Sequence, residues 1–305
     1  MVSDPENPDQ ILSNPKDVKK ASAAYFSKLY TCKTPPMTPK PWLDTPSVQE
    51  VKQRVEKEPF KWPQLATVKT FRSMLRKGNP RPTPGPDGWE KWWVKILNDW
   101  TLSLVVDLHN YMVSNAIFPG NIKEVISVPL YKKGLRTNLA NYRGIMLSNF
   151  LANSPMTWLN FCLTPYIAKV GLIPETQIAT QMGVQSCDLM SFLAGIQTWA
   201  HQNKKTVYCI KRDQLKGFDY LAPQGFHDAI KAYGLPNSII ELDNASQSMV
   251  PCTVRTAYGQ SNKIMINGVT KQGGPLSPIK ATMTTSLGHR WLDDLAKNSK
   301  KNAGY

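Results

Sequence analysis

The chain has 305 residues, of which 41% are hydrophobic and 10% aromatic, enough apolar mass for a real core and too much for global disorder. No uninterrupted apolar run approaches the ~18 residues that span a bilayer, and the start MVSDPENPDQ is unlike a signal or transit peptide. An intracellular protein of the cytoplasm or nucleus, neither secreted nor membrane-bound, is the expectation. The formal charge is +15, distributed as +6 over residues 1–100, +2 over 101–200 and +7 over 201–305. Such a surplus serves solubility, and it equally suits a polyanionic partner, because each phosphate contact releases condensed counterions. The five cysteines are widely spaced, with no C-x-x-C. That excludes zinc spacing, disfavours a disulfide framework and suggests buried free thiols in a reducing compartment.

Of 24 prolines, 14 lie at or before Pro86. Proline lacks a backbone donor and resists helix interiors. Residues 1–86 therefore read as a Pro-rich helical extension: short helices over 17–30 and 48–57, joined by extended linkers. Residues 91–115 have helical apolar spacing and predict one or two helices. EVISVPLY (124–131) reads as a strand, with Pro129 marking an edge or bulge. Residues 150–168 predict a helix interrupted near Pro155 and ended before Gly171. Residues 188–202 predict another, with Leu189, Phe192, Leu193, Ile196 and Trp199 on one side. Residues 205–212 form a β-rich run. Helices follow over 223–233, stopped by Gly234, and 239–249. Residues 252–258 and 263–266 flank a hairpin signal at 259–262. From 277 to 295, Ile279, Met283, Leu287, Trp291 and Leu295 recur every fourth residue. Many helices with few strands give an α+β class.

Three segments carry chemistry. In VYCIKRDQLKGFDYL (207–221) a β run ends in Asp213, with Phe218 and Asp219 close behind. A carboxylate held at a strand end and open on one side suits a hard divalent cation; helix capping or solvation is the ordinary alternative. In GVTKQGGPLSP (268–278) two adjacent glycines let backbone approach a ligand closely, or simply form a loop before a helix. LYKKGLRTNLANYRGIML (130–147) clusters Lys132, Lys133, Arg136 and Arg143 around a strand–loop. That cluster is either a solvated face or, at a directed arginine, a grip on phosphate.

Taken in order, PGPDG (84–88), KKG…NYRGI (132–145), DQLKGFD (213–219) and GVTKQGGPLSP (268–278) resemble the reverse transcriptase domain of non-LTR (LINE-type) retroelements. The likeness covers residues 81–295. It implies a right-hand polymerase fold, with fingers over 87–205 and a partial, antiparallel palm over 206–305. The implied activity is RNA-directed DNA polymerisation on an RNA template, extending a DNA primer with dNTPs by two-metal-ion catalysis. The resemblance makes Asp213 catalytic and a ligand of two Mg²⁺ ions, helped by the backbone carbonyl of Gln214. It places Lys132 (with Lys133 as rival) and Arg143 on the triphosphate, Phe218 under the sugar, Gln272 and Gly273 around the nucleotide, and Gln177 and Gly183 facing the template.

Departures from the pattern matter. The family's second palm motif, an aromatic or Ala followed by Asp-Asp on a hairpin, has no counterpart. The one Asp-Asp pair, Asp293-Asp294, continues a four-residue apolar period and so reads as helical. One carboxylate cannot hold two divalent ions against their mutual repulsion. The expectation is a truncated domain that is inactive alone and depends on the remainder of a longer polyprotein. The alternative is a repurposed, non-catalytic protein that binds RNA or an RNA–DNA hybrid. A third reading takes the Pro-rich segment as a protein-interaction module. NYRGI in place of NYRPI should loosen the fingers loop, and Arg212 should turn away from Asp213 by strand alternation.

Overall fold

Proline punctuates the first 86 residues without unfolding them. The computed structural model describes every residue except 8, 32–38, 63–64, 179–182, 210, 212, 214–216, 269 and 303–305. Short strands β1 (Val2–Ser3) and β2 (Ile11–Leu12) pair antiparallel. Helices α1 (Pro15–Leu29) and α2 (Pro46–Lys57) each start on proline, whose missing N–H costs nothing in a first turn. Asn14 caps α1, and Thr67 with Thr70 forms a capping box on α3 (Val68–Leu75). These helices feed separate cores. Phe26 and Tyr30 pack on the sheet, Val48, Val51 and Val55 join a helical core, and Phe71, Met74 and Leu75 join a third cluster.

The 91–115 pattern resolves into α4 (Lys91–Ile96) and α5 (Asp99–Asn115), separated where Asn98 accepts from the Thr101 N–H. The main sheet follows. β3 (Val125–Tyr131) pairs antiparallel with β4 (Tyr142–Ser148) along its whole length. On its other side, residues 125–127 alone pair with β5 (Val250–Thr256), in parallel. Pro129 thus lies beyond the β5 register, where its missing donor leaves no ladder bond unmade. β6 (Gly259–Gln260) and β7 (Ile264–Ile266) fold back antiparallel onto β5, as the hairpin signal predicts. The sheet is mixed: β3 and β5 run parallel, whereas β3–β4 and the pairs within 250–266 are antiparallel.

Helix α6 (Phe150–Lys169) runs unbroken through Pro155 and Pro165, contrary to the expected interruption. Pro155 cannot donate to the Leu151 carbonyl four residues back, and the Ser154 hydroxyl donates to it instead at 2.9 Å. With α8 (Pro223–Ala232), α9 (Asn237–Gln247), α10 (Ser277–Asn302) and α2, α6 encloses the largest core, around Leu159, Leu163, Phe226, Ile230, Ile239 and Met283. Helix α7 (Ser186–Gln202) stands apart. Its apolar side, including Leu189, Met190, Phe192 and Trp199, is exposed. After it, the expected strand over 205–212 does not form among the described residues, which are exposed and unpaired. Cys252 is buried as expected, whereas Cys187 and Cys209 are exposed. No helix among the described residues is long and apolar enough to cross a membrane. The class is α+β.

Candidate nucleotide and nucleic-acid site along β4

Strand alternation divides β4 into two faces. Gly144, Met146 and Ser148 are buried toward α1, while Arg143, Ile145 and Leu147 point the other way. Gly144 is required, not loosening. A Cβ there would overlap the Tyr30 hydroxyl and come within 3.0 Å of Phe26 Cε1 and Ser127 Oγ. That hydroxyl shares a 2.8 Å hydrogen bond with Ser127 Oγ of β3, and burial pushes its pKa well above the usual tyrosine value.

The open edge of β4 receives the QG loop. The Met146 N–H donates to the Gln272 carbonyl at 2.9 Å. Gly273 has φ +101°, and a Cβ there would lie 3.2 Å from Met146 O and 3.5 Å from Ile145 Cγ2. The loop is held from behind. The Lys271 carbonyl accepts from Gly274 N–H (3.0 Å) and Ser277 Oγ (2.6 Å), and its ammonium donates to Ser246 O at 3.0 Å. At the end of β4, the PGPDG loop docks through Gly85, where a Cβ would overlap the Ser148–Asn149 backbone. Asp87 N–H donates to Asn149 Oδ1 at 3.0 Å.

At the start of β4 the basic loop is tightly built. The Tyr131 hydroxyl donates to Gly134 O, the Tyr142 hydroxyl donates to Arg136 O, and Lys132 N–H donates to Asn141 O. The Arg136 guanidinium sits 5.1 Å over the Tyr131 ring. Lys132, Lys133 and Arg143 are all exposed, with no side-chain bond among the described residues. They line one end of the strand that Gln272 and Gly273 meet at its middle.

Asp213 is exposed, makes no hydrogen bond or ion pair among the described residues, and belongs to no strand. Gln214, its proposed helper, and Arg212 lie outside the described residues. Phe218 is half-buried in a turn. Asp219 is buried near Tyr30 and does not cap α8, whose N-cap is Ala222. It lines a cleft of about 1210 Å³ with Tyr25 and Lys28 of α1 and with Leu135, Asn138 and Leu139 of the basic loop. No three His, Cys, Asp or Glu side chains gather as a metal site among the described residues.

Gln177 does not face an open surface. It is buried, and its amide donates to Thr282 O (3.0 Å) and Thr285 Oγ1 (2.5 Å) of α10. Gly183 is exposed at φ +79°. Asp293 and Asp294 are both in α10, as the apolar period predicts, and Asp294 accepts from Ser47 N–H and Ser47 Oγ at the start of α2.

Sequence reasoning missed the support behind the QG loop. Lys123 donates to Ser248 O (2.5 Å) and Ala245 O (3.3 Å), so two ammoniums, with that of Lys271, collect the carbonyls at the negative end of α9. Burial, with Lys280 and Lys123 nearby, pushes the Lys271 pKa down to about 8. Beside it, Asp243 accepts from Lys280 (2.9 and 3.0 Å) and pairs with His227 Nε2 (2.9 Å), all three buried. Burial raises the Asp243 pKa, but Lys280 and His227 more than offset it and hold the carboxyl below its ordinary value. Nothing in the local sequence signals this cluster, because its members are 16 and 37 residues apart. No protein-family model matches the chain.

Proposed function

We propose that the chain is a reverse transcriptase-derived domain that binds a nucleoside triphosphate and nucleic acid along β4, and that by itself it does not polymerise. The observation carrying this reading is convergence. PGPDG, NYRGI and the QG loop, spread over nearly 190 residues of sequence, meet on one strand, the first at its end and the last on its free edge. Arg143 and Lys132 supply positive charge beside a glycine loop whose backbone can approach a ligand closely. The +15 charge supports a polyanionic partner, an RNA template with a DNA primer.

Two-metal catalysis needs carboxylates beyond Asp213, and this sequence offers none in the required motif. In a complete enzyme the Mg²⁺ pair would activate the primer hydroxyl and stabilise the leaving pyrophosphate. The test is titration of a fluorescent dNTP analogue against the chain. Arg143→Ala should weaken binding by about tenfold, the loss of one charge-assisted contact; unchanged affinity sinks the β4 site. Primer extension on RNA with Mg²⁺ and dNTPs should be negligible, and robust extension abolished by Asp213→Ala would show the metal site to be complete. The second reading, a non-catalytic RNA or RNA–DNA hybrid binder, is favoured by the exposure of Asp213 outside any strand. It shares the absence of primer extension and is distinguished by tight hybrid binding without any dNTP affinity.

A further inference from the structure

We propose that residues 76–100 form a rigid stacking platform for single-stranded RNA, separate from the nucleotide site on β4. The choice of RNA rests on the reading above. Trp89 and Trp93 are 55% and 48% exposed, although tryptophan is on average highly buried. Trp93 stacks on Trp92 at 4.4 Å with planes 28° apart, and Arg81 lies 5.3 Å over the Trp92 ring. Trp89 and Trp93 line a depression of about 520 Å³ with Ile96, Asp87, Asn98 and Thr101. Its floor is apolar, and the amide, hydroxyl and carboxylate can meet donors and acceptors on a base edge.

The platform is held before any ligand arrives. Trp89 N–H donates to Asp87 Oδ1 (3.0 Å), Asp87 N–H donates to Asn149, and Gly88 turns at φ +71°. Helix α4 is tied down by Lys91, whose ammonium donates to the Lys77 and Asn79 carbonyls, and by Arg72, which donates to Lys95 O (3.1 Å) and Leu97 O (2.7 Å). Ordering cost on binding is therefore small.

Charge identifies the occupant. Residues 69–100 contain seven Lys or Arg and three Asp or Glu, and Arg76, Lys77 and Arg81 are exposed beside the rings. Aromatic faces interleaved with cations suit unstacked bases on a phosphate backbone. A protein partner would suit the stripe on α5, where Trp100, Leu104 and Leu108 are exposed and residues 101–115 contain an exposed Asp107 but no Lys or Arg.

The test is fluorescence anisotropy of the full chain with a labelled single-stranded RNA of ~12 nucleotides. Trp89→Ala/Trp93→Ala should weaken binding by at least about tenfold, from lost base stacking, and leave the salt slope unchanged. Trp93→Phe should retain most of the affinity at an unchanged thermal midpoint, which separates stacking from misfolding. Arg76→Gln/Lys77→Gln should lower the slope of log K against log salt by about one to two. Wild-type affinity in the double Trp variant overturns the platform, as does equal or tighter binding of the same-sequence DNA. A change confined to sedimentation would make this face a protein interface and overturn it as well. RNA affinity lost in Arg143→Ala but kept in the Trp variants removes the platform and leaves the β4 reading standing. Trp-dependent RNA binding without dNTP affinity does the reverse.

Discussion

Gly144 shows how one missing methyl group can organise a strand. The Tyr30 hydroxyl and the Phe26 ring occupy the space a side chain would need. Gly144→Ala should cost about 2 kcal/mol, the range for overpacking a core, measured by urea denaturation. The cost should be smaller in a Tyr30→Phe background, because the overlapping oxygen is gone; a strictly additive pair would refute the contact. His109 offers a second residue-scale test. It is fully buried, its Nδ1 lies 2.9 Å from Ser154 Oγ, and burial pushes its pKa down to about 4. The folded state thus refuses a proton that the unfolded chain accepts near pH 6.5. Stability should fall as pH drops from about 6.5 to about 4, by on the order of 3 kcal/mol. His109→Phe should flatten that limb, while Ser154 keeps its bond to Leu151 O.

At the scale of elements, α6 and α7 teach opposite lessons. Proline inside α6 reads as a break, but a serine one residue earlier serves the stranded carbonyl. Ser154→Ala should cost about 1–2 kcal/mol, since it leaves Leu151 O and His109 without that hydroxyl. A neutral substitution, read from the denaturation midpoint, would mean that α6 tolerates Pro155 without help. Helix α7 has the apolar periodicity of a core helix and buries almost none of it. Lys204 and Lys205, just beyond it, are exposed and outside any ladder. Limited trypsin digestion should cut there first and leave the β4 sheet protected, as followed by mass spectrometry. First cleavage within β3 or β4 would reverse this ordering.

Across the whole molecule, Asp294 joins parts of the chain 247 residues apart. Its carboxylate takes the place of a cap on α2, through Ser47. Burial raises its pKa, but the Ser47 hydrogen bonds more than offset this and hold it below the ordinary value. A depressed folded pKa stabilises above the unfolded value and is lost as pH falls through the folded one. Asp294→Ala should cost about 1 kcal/mol near neutrality, typical of a lost cap, and the difference from wild type should begin to shrink below pH ~4 and vanish once pH has fallen through the folded pKa. A gap that persists in acid would assign the effect to packing. The same contact gives the Asp-Asp pair a structural task.

Most helices, the β3 and β5 strands and the α+β class were legible from apolar periodicity, proline positions and glycine stops, because those patterns act over a few residues. So were the segments that meet at β4 and the close backbone approach at Gly273, whereas Gly144 read as a loosening of its loop and Gly85 carried no such signal. Their meeting was decided by tertiary structure alone: the Met146–Gln272 bond, the tyrosine behind Gly144 and the lysines behind Lys271's loop join residues that no local pattern connects. The same holds for the failures. The run at 205–212 has strand composition, but a strand requires a partner edge, and none pairs with its described residues. The resemblance puts Gln177 on the template, but its amide is committed to α10. Periodicity specifies which face is apolar, whereas only the packed chain decides what covers it.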